Sequence, residues 1–143
     1  MFDINVKMLY FFVKEAIPLL TASKKVGSIV VMTSCVAYTQ ENLLGLYSPA
    51  KLAVVGVVKC LAKELYRFKI NVNAVAPGIV KTRFSRKVWK GREKLACKRF
   101  KVYRLAEVED VSGVIAFLAS NQAEYINGET IMITGVCSTK ISE

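Results

Sequence analysis

Apolar residues recur along the chain with two different periods, and together they predict helices and strands in alternation. Over residues 5–20 they repeat every three or four positions, which indicates an amphipathic helix with Pro18 near its end. Residues 28–33 form a run rich in β-branched side chains directly after a glycine, which is typical of a buried parallel strand. A loop is predicted over residues 37–45.

The second half of the chain repeats this alternation. Residues 47–66 predict a helix that is apolar on more than one face, so it should be covered by both a sheet and another helix. Strands are predicted over 70–75 and 130–134, with a helix over 109–120 between them. The alternating order predicts an α/β fold, in which a parallel sheet has helices on both faces.

Composition narrows the class of protein. The chain has 143 residues, of which 53% are hydrophobic, and its mean hydropathy is +0.35, so we expect one folded domain. The longest apolar stretch, residues 52–58, is far shorter than the roughly 20 residues that a membrane helix needs. Charged residues near the start, among them Asp3 and Lys7, are atypical of a signal peptide. We therefore expect a soluble, intracellular protein without a membrane span.

Two residue types limit the chemistry. There is no histidine, and the four cysteines, at positions 35, 60, 97 and 137, are scattered, so we expect reduced thiols and no metal site. Any proton transfer must then use Tyr, Lys, Asp, Glu or Cys side chains.

Basic residues are concentrated in one place. The net charge is +10, and ten of the 21 Lys and Arg residues lie within 81–101, where Glu93 is the one acid. Such a basic segment can attract phosphates or nucleic acid, or it can be a solvated surface loop or lid. We favour the lid and expect no nucleic-acid partner, because the nearby aromatic residues are too few for a stacking platform.

A candidate reaction centre lies at the start of the second helix. Tyr47 and Lys51 are four residues apart, so both can face the same way, and the ammonium should lower the tyrosine pKa from about 10. Ser34 follows the first strand, at the sheet edge where ligands of open α/β sheets bind, and its hydroxyl can hydrogen-bond a carbonyl. Asn5 either points toward the same region or caps the first helix.

These residues, with Pro77 and Gly78 leading to Thr82, resemble the catalytic and nicotinamide-binding half of the short-chain dehydrogenase/reductase family, nearest to its NADP-dependent carbonyl and retinal reductases. The resemblance covers residues 1–143. It implies the carboxyl-terminal part of a Rossmann-like, doubly wound parallel sheet, with 82–101 as a substrate lid. It also implies an oxidoreductase that transfers a hydride between NADP or NAD, with NADP favoured, and a small-molecule carbonyl or secondary alcohol.

The resemblance implies a role for each candidate residue. Tyr47 would give or take the proton, Lys51 would lower its pKa and hold the nicotinamide ribose, and Ser34 would orient the substrate carbonyl. Asn5 would anchor a water in the proton relay. The nicotinamide side would be lined by Pro77, Gly78, Ile79, Val80 and Thr82.

The chain departs from the family pattern in three places. Its eight glycines include no Gly-x-x-x-Gly-x-Gly phosphate loop, so we expect it to lack the family's first four strands. We therefore expect the chain alone to bind NAD(P)H weakly and to turn over carbonyl substrates poorly or not at all. Pro49, between Tyr47 and Lys51, is tolerated only in a first helical turn and could displace Tyr47. Ala50 stands where the family usually has serine.

Two functions stay open from the sequence. One is the oxidoreductase, and the alternative is a catalytically inactive truncated paralogue or isoform that pairs with a full-length relative. In this family the two long helices pack against their copies, so the resemblance implies a homo-oligomer or such a mixed pair. By resemblance the compartment is the cytoplasm, with mitochondrion or peroxisome as alternatives, although the sequence ends without a Ser-Lys-Leu signal.

Overall fold

Three parallel strands form the centre of the chain. The computed structural model describes residues 1–23, 25–39 and 44–136. The strands are β1 (Gly27–Met32), β2 (Ile70–Pro77) and β3 (Thr130–Ile133), and they lie in the order β1-β2-β3. Both pairs are parallel, because each connection between consecutive strands passes through helices and returns to the same end of the sheet. The α/β fold with a parallel sheet is therefore confirmed.

Five α-helices connect and cover these strands in the described ranges. Their bounds are α1 (Met8–Thr21), α2 (Tyr47–Leu65), α3 (Arg86–Trp89), α4 (Glu93–Phe100) and α5 (Val108–Leu118). The helix predicted over residues 5–20 is present, but its first turn, Asp3–Lys7, is a wider π-helical turn. Both α3 and α4 lie in the basic segment, where no helix was predicted because Lys and Arg interrupt any apolar repeat. Of the predicted loop over 37–45, residues 40–43 lie outside the described residues, as does Cys137.

The first face of the sheet is covered by α1 and α2. Val13 of α1 and Val54 and Val58 of α2 pack in one cluster with Ile70 and Val72 of β2, and at most 1% of each residue is exposed. Burying an aliphatic side chain of this size stabilises a fold by roughly 1.5–3 kcal/mol. This cluster explains why α2 is apolar on more than one face, since it contacts both the sheet and α1.

The opposite face is covered by α5. Val111 and Leu118 of this helix pack with Val75 of β2 in a second buried cluster. At its start, Glu107 and Asp110 form a capping box, in which each side chain accepts the other residue's backbone N–H. Helices therefore lie on both faces of the sheet, as predicted.

Two asparagines, Asn73 of β2 and Asn127, join β2 to the turn that precedes β3. Asn73 is fully buried, and its Nδ2 donates to Ile126 O at 2.7 Å while its Oδ1 accepts from Glu129 N at 3.0 Å. Asn127 Oδ1 accepts from Val72 N at 2.8 Å. These bonds satisfy backbone groups that would otherwise be buried without partners, so they fix where β3 begins.

The outer side of α1 and of the π-helical turn is apolar. Ile4, Met8, Phe12 and Leu19 are each between 61% and 79% exposed. This surface is therefore available to a second protein chain. Among the described residues, no helix is long and apolar enough to cross a membrane.

Two helical segments end on lysines in the left-handed backbone region. Lys69 follows the 3-10 turn after α2 with a φ of 57°, and Lys101 follows α4 with a φ of 53°. Each backbone N–H closes the last turn, with Lys69 N donating to Tyr66 O at 2.9 Å. A residue with a Cβ pays roughly 1 kcal/mol or more for this conformation.

Candidate active site

The carboxyl end of β1 is tied to the start of α2. Thr33, the residue after β1, is buried and donates from Oγ1 to Lys51 O at 2.7 Å. Ser34 comes next, and its Oγ accepts from Val36 N at 3.4 Å at the start of a 3-10 turn, Cys35–Ala37. The Ser34 hydroxyl therefore lies at the sheet edge where ligands of open α/β sheets bind.

The helix α2 begins at Tyr47 despite a proline in its first turn. Pro49 is the third residue of the helix, where its missing N–H removes no intrahelical bond. The N–H groups of Tyr47 and Ser48 both donate to Leu44 O at 3.0 Å and set the direction of the turn. Pro49 therefore does not break the helix between Tyr47 and Lys51.

Three predicted residues come together at this edge and form what we name the Tyr47 cluster: Ser34, Tyr47 and Lys51. The Ser34 side chain lies close enough to the Tyr47 hydroxyl to lower its pKa. Lys51 Nζ lies 5.7 Å from the centre of the Tyr47 ring and donates to Met32 O at 3.2 Å. All three side chains are half-buried. The structure thus brings together the residues that the sequence spacing selected, and their catalytic role stays a prediction.

The pKa of Tyr47 shifts in the direction opposite to the one expected. Burial raises it above 10.0, and the nearby Ser34 side chain lowers it by less than burial raises it, while the charge of Cys35 adds to the rise. Burial also lowers the pKa of the Lys51 ammonium. The expectation of a lowered tyrosine pKa is wrong for this structure, because burial of the phenol raises its pKa by more than the neighbouring Ser34 lowers it. Tyr47 is therefore a protonated phenol at neutral pH.

Asn5 lies in the π-helical turn Asp3–Lys7, which contacts α2. Its Nδ2 donates to Met1 O at 3.0 Å and approaches Met1 Sδ at 3.3 Å. The N-cap position belongs to Phe2, so Asn5 is not the helix cap. Single π-helical turns are frequent at functional sites, and a role for Asn5 toward the Tyr47 cluster stays a prediction.

The residues after β2 run along the same carboxyl edge of the sheet. Gly78 N donates to Ile133 O of β3 at 2.9 Å, and Val80 forms a parallel bridge with Ala106. The backbone of residues 77–82 is therefore held between β3 and the chain that leads into α5. The predicted nicotinamide contacts of Pro77, Gly78, Ile79, Val80 and Thr82 remain predictions.

The sequence pattern did not single out two residues of the basic segment, of which Phe84 reaches the Tyr47 cluster and Ser85 holds the start of the segment in place. The ring centre of Phe84 lies 6.4 Å from that of Tyr47. Ser85 Oγ donates to Val80 O and accepts from Trp89 Nε1 at 3.1 Å. A lone aromatic residue among charged ones has no periodicity, so the sequence carried little signal for the contact between Phe84 and Tyr47.

Ion pairs hold the beginning of the basic segment. Lys81 Nζ lies 2.7 Å from Glu93 Oε1 and 2.8 Å from Glu107 Oε1, and these carboxylates raise the pKa of the ammonium. Thr82 Oγ1 lies 3.4 Å from Ser85 Oγ. The start of the basic segment is therefore held by two carboxylates at Lys81 and by Ser85 at Thr82.

Comparison with known proteins gives matches over nearly the whole chain. The family model described as Enoyl-(Acyl carrier protein) reductase matches residues 1–135. Dehydrogenase/reductase SDR family member 4 of Oryctolagus cuniculus is 36% identical over 141 residues, which are 97% of this chain and 54% of that protein. The chain belongs to the short-chain dehydrogenase/reductase family. The predicted family is confirmed.

Other members of the family support the same assignment. Member 4 of Homo sapiens is 38% identical over 135 residues, 93% of this chain and 48% of that protein, and the mitochondrial member 2 of Homo sapiens is also 38% identical, over 137 residues. The chain spans about half the length of these curated relatives. A solved candidate 2-deoxy-d-gluconate 3-dehydrogenase from Agrobacterium tumefaciens, with bound NADP, is 32% identical with a TM-score of 0.80, and covers 93% of this chain and 55% of its own.

Proposed function

We propose that this chain provides the proton-transfer side of an NAD(P)-dependent oxidoreductase, which transfers a hydride between the nicotinamide and a carbonyl or secondary alcohol. The observation that carries the proposal is the Tyr47 cluster, in which a hydroxyl, a phenol and an ammonium share one sheet edge. Membership of a dehydrogenase/reductase family supports it. Because the chain spans about half the length of its curated relatives, the activity of a whole protein is part of the proposal.

The residues present suit the nicotinamide end of such a cofactor. The ammonium of Lys51 has three N–H donors, and Met32 O accepts from it at 3.2 Å, so donors remain for the hydroxyls of a ribose. The backbone of residues 77–82 lies along the same edge and can line the ring. We favour NADP over NAD, with support from the relative that was solved with bound NADP.

The cluster can move one proton. A bound, reduced nicotinamide would supply the hydride. The Ser34 hydroxyl would donate a hydrogen bond to the substrate carbonyl and place its oxygen beside Tyr47. Because the pKa of Tyr47 is raised, its hydroxyl is protonated at neutral pH and can donate the proton that the reduced oxygen requires. The raised pKa therefore favours the direction of carbonyl reduction at neutral pH.

A comparison of two tyrosine variants tests the proposal. We expect NADPH-dependent reduction of a small dicarbonyl to fall at least about 100-fold in Tyr47→Phe, since the proton donor is lost. Tyr66→Phe removes a hydroxyl from an exposed tyrosine next to the end of α2 and should change the rate less than about twofold. Equal rates in the two variants would contradict the assignment of Tyr47.

We also propose that a second chain covers the outer side of α1. The four exposed apolar residues there support this, because single exposed apolar residues are common but a contiguous patch marks an interaction site. The partner would be a second copy or a full-length relative. Sedimentation should show an oligomer that Phe12→Lys dissociates, and an unchanged sedimentation coefficient for that variant would contradict this surface.

A further inference from the structure

We propose that the basic segment, residues 81–101, selects carbonyl substrates that carry a carboxylate or a phosphate group. This inference rests on the proposed function, because it assigns a substrate class to the site formed by the Tyr47 cluster. Three features of the segment carry it: its position, its charge and the exposure of Phe84.

The position of the segment follows from its anchors. Lys81 is fixed by Glu93 and Glu107, and Ser85 joins Val80 to the indole of Trp89. The residue between these anchors that reaches the reaction centre is Phe84, whose ring lies beside the ring of Tyr47. A substrate carbonyl held by the Tyr47 cluster therefore lies close to the beginning of the basic segment.

The charge of the segment is mostly uncompensated by the acids nearby. Glu93 and Glu107 already bind Lys81, and Asp110 binds Arg104 through both oxygens. The nine further cations of the segment are all exposed, among them Arg83, Arg86 and Lys87. A group of like charges beside a cleft concentrates ions of the opposite sign there and accelerates their association.

Phe84 adds an apolar surface to this positive field. It is 85% exposed although its ring centre lies 6.4 Å from that of Tyr47, so it offers an apolar surface to solvent beside the Tyr47 cluster. Arg83 precedes it, and Arg86 and Lys87 follow in α3. A substrate with a short apolar body between its carbonyl and its anionic group matches this order of Tyr47, then Phe84, then cations.

Anionic membranes and nucleic acids would also be attracted by such a segment. We favour a small anionic substrate because Phe84 connects the segment to the Tyr47 cluster, whereas a macromolecular surface requires no such contact. Binding to phosphatidylserine vesicles or to a DNA duplex that exceeds the preference for an anionic carbonyl would overturn the proposal.

The single tryptophan of the chain makes a direct test available. Trp89 lies within the segment, so its fluorescence reports ligands that bind there. We would titrate the whole chain with 5-oxohexanoate, in which three methylene groups separate the carbonyl from the carboxylate, and with its uncharged methyl ester, at low and high salt. We expect the acid to bind about tenfold more tightly at low salt, and this preference to shrink as salt screens the charges.

Matched triple variants separate a local effect from a general charge effect. Arg83→Gln, Arg86→Gln and Lys87→Gln together should bring the acid and the ester to within about twofold of each other. Lys59→Gln, Lys63→Gln and Arg67→Gln remove the same charge from α2 and the turn after it, and should keep the tenfold preference. Equal binding of acid and ester by the unaltered chain, no binding of either, or equal loss in both triple variants would overturn the proposal.

Turnover distinguishes this inference from the function on which it rests. Reduction of the ester as fast as the acid would preserve the proposed function and overturn the substrate class. Preferential binding of the acid without NADPH-dependent turnover of either probe would overturn the proposed function and leave the binding preference in place. In Tyr47→Phe we expect the binding preference to persist while turnover is lost.

Discussion

The two sides of the candidate site differ in how they are built. On one side, the Tyr47 cluster stands on β1 and α2, is half-buried, and is linked through Thr33 to the backbone of Lys51. On the other side, the basic segment is mostly exposed and is held near its beginning by Lys81 and Ser85. The difference suits the roles that we propose for the two sides, because proton transfer requires fixed geometry whereas substrate selection tolerates and uses an adaptable surface.

Two lysine substitutions should give the largest difference in reduction rate, one in the Tyr47 cluster and one in the basic segment. Lys51→Met removes the ammonium of the Tyr47 cluster, and we expect dicarbonyl reduction to fall about 100-fold or more. Lys81→Met loosens the basic segment without touching the cluster, and we expect a fall of about two- to fivefold. Lys59→Met, on the outer side of α2, serves as the control and should leave the rate unchanged. Steady-state rates for the three variants measure the contrast, and a larger loss for Lys81→Met than for Lys51→Met would reverse it.

The pH dependence of the reaction rate should be set by the Tyr47 cluster and not by the basic segment. Because the pKa of Tyr47 is raised, the phenol is protonated at neutral pH, and loss of its proton should not limit reduction there. Above the pKa, each further pH unit should lower reduction about tenfold. Oxidation of the alcohol needs the phenolate, so its rate should instead increase with pH up to that pKa. A reduction rate that falls as pH rises through neutrality, and that keeps this fall in Lys51→Met, would show that the pKa of Tyr47 is lowered in the working enzyme.

The stability of the sheet should depend on a residue remote from both sides. Asn73→Ala leaves Ile126 O and Glu129 N without their partner, and we expect the free energy of unfolding to fall by about 2 kcal/mol. Asn121→Ala, at an exposed turn, should cost less than about 0.5 kcal/mol. Urea denaturation of both variants gives the comparison. Equal values would mean that water replaces the lost bonds of Asn73.

The smallest expected effect concerns the anchoring of the basic segment. Glu93→Gln removes one of the two carboxylates on Lys81, and we expect brief trypsin digestion to cleave within 86–101 about two- to fivefold faster. Glu64→Gln, an exposed residue of α2, should leave the cleavage rate as it is. Faster cleavage within α2 in the Glu93 variant would show that the two sides open together rather than separately.

The residues that sequence reasoning located are those whose position depends on regular structure. Strand 28–33 follows from its β-branched run, and the proximity of Tyr47 and Lys51 follows from the four-residue spacing of a helix. Ser34 could be placed because parallel strands end at one edge. Each of these predictions relied on the repeat of a regular helix or strand, or on the topology of a parallel sheet. None required knowledge of tertiary contacts.

The features that were missed depend on tertiary packing. The direction of the Tyr47 pKa shift is set by how much protein covers the phenol, which a spacing cannot show. The contact of Phe84 with Tyr47 joins two residues far apart in sequence within an aperiodic segment. The helices α3 and α4 were missed because their Lys and Arg side chains hide any apolar repeat.

Lys69, just before β2, and Lys101, just after α4, are suitable positions for stabilising substitutions because their backbones are left-handed. At Lys69 and Lys101 a glycine would adopt the same backbone without a Cβ clash, and relief of that clash should outweigh the greater freedom glycine gives the unfolded chain, by about 0.5 kcal/mol at each position. The substitutions are separate because Lys69→Gly leaves the charge of the basic segment intact, whereas Lys101→Gly removes one cation from it. A sturdier variant for crystallisation would therefore begin with Lys69→Gly, which strengthens the scaffold and leaves the charge of the basic segment unchanged.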